Sequence, residues 1–248
     1  MNPAARLRFI GIAVAVTLGT APVAQAQVAI AWNNCLGKAN AAQSLQYVCD
    51  GSRDGIPFKL VLSYELPAFV DSIESSRSIV EFRTANPSLP DYWQLLPGGC
   101  REGGGPFFQP VSPGVGDPVL CANASPGQNG SGNFVTLIHP PNSFRYECSI
   151  GTTLIPIQGG KKYLGGVMLL DPVSGDCAGC EEEICIQFVE VSVIWGTDPD
   201  PNAPRPEITL SGPNSTSFVT WQGPAPGICF GATPVRDRTW GSVKALYR

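Results

Sequence analysis

The chain has 248 residues, of which 28 are Gly, 24 are Pro and only 15% are charged. A formal charge of −4 without a basic cluster argues against nucleic acid and anionic membrane surfaces as partners. Short apolar runs separated by Gly and Pro point to many short strands joined by turns.

Residues 1–26 read as an export signal, with Arg6 and Arg8 as a basic start, an apolar run at 9–18 and Ala24-Gln25-Ala26 as a small-residue cleavage site. The apolar run is too short to cross a bilayer, and no later stretch reaches about 18 apolar residues, so no transmembrane span is expected. Removing this segment takes away two arginines, leaving 222 residues (248 − 26) at a formal charge of −6 (−4 − 2).

Strands are predicted in chain order at 27–32, 58–64 and 78–84. In the third, Val80 and Phe82 share one face and Glu81 and Arg83 the other. Residues 85–133 are irregular and rich in Gly and Pro; so long a loop inside a compact domain is functional, partly ordered or clipped by disulfides. Strands resume at 134–138, 144–148, 153–157 and 163–170, the last interrupted at Gly165-Gly166, which implies a bulge or a close backbone approach.

The longest strand signal covers 184–195, β-branched and aromatic with neither a cap nor a helical stripe. A proline-stiffened connector at 197–204 and strands at 207–210 and 217–221 follow. This pattern predicts an all-β sandwich of immunoglobulin or jelly-roll kind over 27–231. Its expected core is Leu60, Leu62, Val80, Phe82, Val135, Leu137, Ile186, Phe188, Val191, Val193 and Phe218. Residues 232–248 form a separate tail, with Thr239 as a cap and Trp240, Val243, Leu246 and Tyr247 at helical spacing.

All nine cysteines follow the signal, and in an exported chain such cysteines pair as disulfides, with an odd count leaving at least one out. Cys35 and Cys49 enclose a loop of 15 residues and are the expected local pair, worth about 3 kcal/mol by closure entropy. Cys100 and Cys121 are placed to clip the irregular segment, and Cys177, Cys180, Cys185 and Cys229 complete the disulfide set. A structural zinc on those last four, or a redox pair at Cys177 and Cys180, is the sharper alternative. Glu181, Glu182 and Glu183 would raise the thiol pKa and there is no thioredoxin-like context, so structural disulfides are preferred and no metal or cofactor is expected.

No catalytic motif stands out. His139 is the single histidine and reads as a loop residue, and no Gly-x-Ser-x-Gly elbow supplies a nucleophile. Asp198-x-Asp200-x-Asn202 resembles the opening of a calcium loop but lacks its glycine and closing glutamate, so a rigid linker is preferred. Glu81, Glu147 and Glu190 lie on predicted strands and would serve an acid/base hydrolase only if two of them faced one cleft. Tyr92 and Trp93, in a turn-rich segment, are the candidate ligand-binding residues, as an exposed platform for a glycan or a partner protein; the alternative is a loop anchor packed on the core.

The ending Thr233-Pro234-x-x-x-x-Thr239-Trp240-Gly241-x-x-Lys244-x-Leu246-Tyr247-Arg248 resembles the TPxxxxTWGxxKxLYR termini of a family of secreted bacterial proteins. Ala31-Trp32-Asn33-Asn34-Cys35, Ser88-Leu89-Pro90-Asp91-Tyr92-Trp93-Gln94, Cys177-Ala178-Gly179-Cys180 and Trp221-Gln222-Gly223 resemble the same group. The resemblance implies export and a C-terminal sorting or attachment tag, and it transfers no activity. The expectation is an exported binding or structural protein of the bacterial envelope or surface, more a binder than an enzyme, with a protein or glycan partner. A carbohydrate-binding module is the first alternative and the carboxylate hydrolase the second.

Overall fold

Strand formation is clearest at Ile184–Trp195, where Ile184, Ile186 and Phe188 point inward, Val189 is an extra residue against the neighbouring strand, and Val191 and Val193 then point inward in the opposite phase. A one-residue bulge of this kind keeps two hydrophobic sets of opposite parity on a single core face. The computed structural model describes residues 27–50, 57–103, 105–109, 121, 130–135, 140–171, 177–195, 206–212 and 216–223.

The strands in chain order are β1 (Gln27–Trp32), β2 (Ser44–Leu45), β3 (Phe58–Glu65), β4 (Val70–Arg83), β5 (Phe107–Gln109), β6 (Gly130–Val135), β7 (Ser143–Ile157), β8 (Lys162–Leu170), β9 (Ile184–Trp195), β10 (Glu207–Ser211) and β11 (Phe218–Trp221). They form a four-stranded sheet in the order β1-β3-β8-β5 and a seven-stranded sheet in the order β2-β11-β9-β4-β7-β6, with β10 also on β9. All pairings are antiparallel except β11 with β2. The two predicted strands at 144–148 and 153–157 are one continuous strand, and the strand predicted at 78–84 begins eight residues earlier, at Val70.

The architecture is an all-β sandwich. Its core joins Val28, Ile30, Leu60, Leu62 and Met168 of the smaller sheet to Val80, Phe82, Phe144, Ile186, Phe188 and Val191 of the larger. Of the expected core, Leu60, Leu62, Val80, Phe82, Ile186, Phe188, Val191, Val193 and Phe218 are buried; Leu137 and the side chain of Val135 lie outside the described residues. A second cluster on Val61, Leu164 and Val167 is covered by Cys35 and Cys121. The expected bulge is present: between β3 and β8 the register slips at Leu62 and Ser63, leaving Gly165 unpaired. At Gly166 (φ +133°) a Cβ would lie 2.2 Å from the ring of Phe108, so the backbone there is a close approach as well.

The outer edge of β1 is closed by a loop. Ile30 donates its N–H to the Thr216 carbonyl at 2.9 Å, and the Thr216 hydroxyl donates to the Val28 carbonyl at 2.9 Å. Among the described residues no helix is long and apolar enough to cross a membrane. The signal segment, His139, the 198–202 segment, Cys229 and the tail residues Thr239, Trp240, Val243, Leu246 and Tyr247 lie outside the described residues.

Candidate functional site

Aromatic residues from distant parts of the chain converge at one end of the sandwich. Trp221 of β11 packs its ring on Tyr47, Phe58, Tyr92 and Trp93 at centroid distances of 5.1 to 5.9 Å, and on Trp32 at 6.2 Å. Such large rings dominate the energetics of a core when their polar atoms find partners. Trp32 Nε1 donates to the Thr220 carbonyl at 3.0 Å and Trp221 Nε1 to the Cys180 carbonyl at 2.8 Å.

Three disulfides join described residues to one another: Cys35 with Cys121, Cys49 with Cys180 and Cys100 with Cys177, at Cα separations of 5.8, 6.0 and 5.9 Å. The local pair Cys35–Cys49 expected from sequence is therefore not formed, and Cys100 and Cys121 do not clip one loop to itself. Each instead joins a separate part of the fold, because strand pairing brings residues 77 to 131 apart in sequence into bonding range. Cys177 and Cys180, three apart in sequence, bond to separate partners, and the Cys180 carbonyl meets the Trp221 indole. Cys185 is disulfide-bonded as well. With their sulfurs in disulfides, Cys177, Cys180 and Cys185 have no thiolate to offer a zinc ion. Cys148 is a free thiol inside the core, its pKa pushed well up by burial.

Tyr92 and Trp93 sit on a short 3-10 turn (Asp91–Trp93) and are each only 2% exposed. The Tyr92 N–H donates to the Ala178 carbonyl at 2.8 Å, which fastens the turn to the cysteine corner. The Arg101 guanidinium lies 4.0 Å from the Tyr92 ring centroid. Burial pushes the Tyr92 phenol above its ordinary value, against the opposing pull of the Arg101 cation. Both aromatics are thus loop anchors packed on the core, and the exposed platform expected as one reading is corrected: their ring contacts are with Phe82, Trp221 and each other.

What the turn does create is a groove of about 450 Å³ between residues 88–99 and the 140–144 turn. Its walls are Leu89, Leu95, Leu96, Pro97, Pro140 and Pro141, with Trp93 and Phe144 at its base, and among the described residues no charged side chain lines it. Its shape depends on Gly99, where a Cβ would lie 2.2 Å from the Gln94 carbonyl oxygen. Ser143, which lines the groove, has a buried hydroxyl without a hydrogen-bond partner. Its volume falls within the range of small-ligand pockets and more of its lining is apolar than polar. Sequence reasoning named Trp93 but missed these walls; the signal was the density of Leu and Pro in a turn-rich segment that needs neither for its turns.

The strand carboxylates lie elsewhere, on the outer face of the large sheet. Glu147 and Glu190 both stand opposite Ile79, with Glu81 two residues along the strand. Glu81 is clasped by Arg83 and by Arg145, the latter at 2.8 Å. Burial alone would push its carboxyl up, but the hydrogen bonds and charges of Arg145 and Arg83 outweigh this and hold it below its ordinary value. Glu147 pairs with Arg77 at 2.9 Å, and Glu190 accepts from the Ser192 hydroxyl at 3.4 Å. The three carboxylates share a face, and two of them are held by arginine pairs.

The sequence matches no protein-family model and no curated protein.

Proposed function

We propose that this is an exported, non-catalytic binding protein of the bacterial envelope or surface, and that its ligand is an uncharged, apolar-rich peptide segment of a partner protein held in the groove beside Trp93. The single observation that carries the reading is the groove itself, roomy, walled by leucine and proline and, among the described residues, without a charged side chain. Aliphatic walls favour apolar side chains over polar ones. Glu81 supports the non-catalytic reading, because a carboxylate fixed between two arginines is a poor proton donor. Three disulfides and the export signal support an oxidising compartment. The resemblance of the tail to the termini of secreted bacterial proteins supports a sorting or attachment role for residues 232–248.

Titration of the purified protein with an array of short uncharged peptides, followed through the Trp93 indole resonance, tests this. Binding that shifts the resonance and is abolished by Pro141→Glu or Leu89→Glu is the expected result. A response to a panel of oligosaccharides and not to peptides would replace the reading by the carbohydrate-binding one. No response to either, or full binding by both variants, overturns the assignment of the groove.

A further inference from the structure

Trp93 also borders a second, much smaller cavity, of about 10 Å³, together with Phe58, Arg101, Asp171 and Trp221. Two of these lining residues each carry a buried polar atom, Trp93 Nε1 and Asp171 Oδ1, that has no hydrogen-bond partner among the described residues. An indole nitrogen is solely a donor and a carboxylate oxygen solely an acceptor, so the two are chemically complementary. Leaving either unpaired in a low-dielectric interior is costly. The guanidinium of Arg101 donates to the Tyr92 carbonyl at 3.2 Å and to the Asp171 main-chain oxygen and lies over the Tyr92 ring, and it makes no hydrogen bond to Asp171 Oδ1. A cavity of this volume takes about one water molecule, and buried waters are found where otherwise unpaired polar groups converge.

We infer that the cavity is a binding site for a single ordered water, which accepts from Trp93 Nε1–H and donates to Asp171 Oδ1. The site is independent of what occupies the groove. Its effect is nevertheless felt there, because the water fixes the indole that forms the base of the groove, and the ring cannot turn without breaking that bridge.

The test uses the full chain. In a crystal structure that resolves ordered solvent, density within hydrogen-bonding distance of both atoms is expected. In solution, the Trp93 indole proton, assigned by its loss in Trp93→Phe, should give a cross-peak to a long-lived water. That cross-peak should persist in Asp171→Asn, which keeps an acceptor, and vanish in Asp171→Leu. A dry cavity, a direct Trp93 to Asp171 hydrogen bond, or an unchanged cross-peak in Asp171→Leu would overturn the inference. Should a variant fail to fold, the wild-type density and cross-peak still decide it.

Discussion

The indole of Trp221 is bonded to the carbonyl of Cys180 at 2.8 Å, so the last strand is fastened to the turn from which two disulfides leave. Replacing Trp221 by Phe keeps a ring but removes the donor and leaves a buried carbonyl short of a partner. The expected loss is about 1–3 kcal/mol, or a Tm lower by roughly 2–4 °C for each kcal/mol in a domain of this size, read by calorimetry. A loss below about 0.5 kcal/mol would mean that the Gln222 amide, 3.5 Å from the same carbonyl, takes over the bond.

Peptide mapping without reduction should recover Cys35 with Cys121, Cys49 with Cys180 and Cys100 with Cys177. Recovery of Cys177 bonded to Cys180, or of Cys35 bonded to Cys49, would contradict the structure directly. The double variant Cys100→Ser with Cys177→Ser opens a separation of 77 residues and should cost about 2–5 kcal/mol, measured by denaturant unfolding.

Glu81 links stability to acid. Its folded-state pKa lies below the ordinary 4.5, so the carboxylate stabilises the fold fully above that ordinary value and loses its contribution as pH falls through the lowered one. Glu81→Gln should therefore be less stable than wild type near neutrality, by about 1–3 kcal/mol for a charge-assisted pair, and the difference should shrink as the solution is acidified. A difference that stays constant from neutral to acidic pH would refute the linkage.

At the other extreme, burial, with a smaller contribution from Cys148, pushes the Tyr146 phenol up to about 12. The unfolded phenol ionises near 10, so the unfolded state sheds its proton first. Stability is expected to fall as pH rises from about 10 towards 12, and Tyr146→Phe should flatten that fall. In the same core the Cys148 thiol should resist alkylation until the protein is denatured, as mass spectrometry of the modified peptide would report. Labelling of Cys148 in the native state at neutral pH would contradict its burial.

Local pattern carried much of the fold. β1 and β9 run at their predicted residues because β-branched and aromatic side chains dominate both, and Gly165-Gly166 announced the bulge of β8. The first half of β4, with Ser75, Ser76 and Arg77, is polar and has no strand period of its own; it is a strand because β7 and β9 flank it on both sides. The disulfides were the least legible feature. Loop length favours near neighbours such as Cys35 and Cys49, whereas the pairing is decided by which loops the two sheets bring to the same end. Of the two readings of Trp93, exposed platform or loop anchor packed on the core, the structure shows the anchor, and the groove beside it is walled by the surrounding leucines and prolines, which no periodic pattern sets apart.

The crossed arrangement of the three disulfides that join described residues also changes what a break in the backbone would do. A cut between residues 50 and 99 is spanned by the Cys35–Cys121 and Cys49–Cys180 bonds, one between 101 and 120 by all three, and one between 122 and 176 by the Cys49–Cys180 and Cys100–Cys177 bonds. Over this long middle portion of the chain, peptide-bond scission by a protease would leave a nicked molecule whose pieces stay tethered at two points or more, and shedding of a fragment would require reduction as well as cleavage.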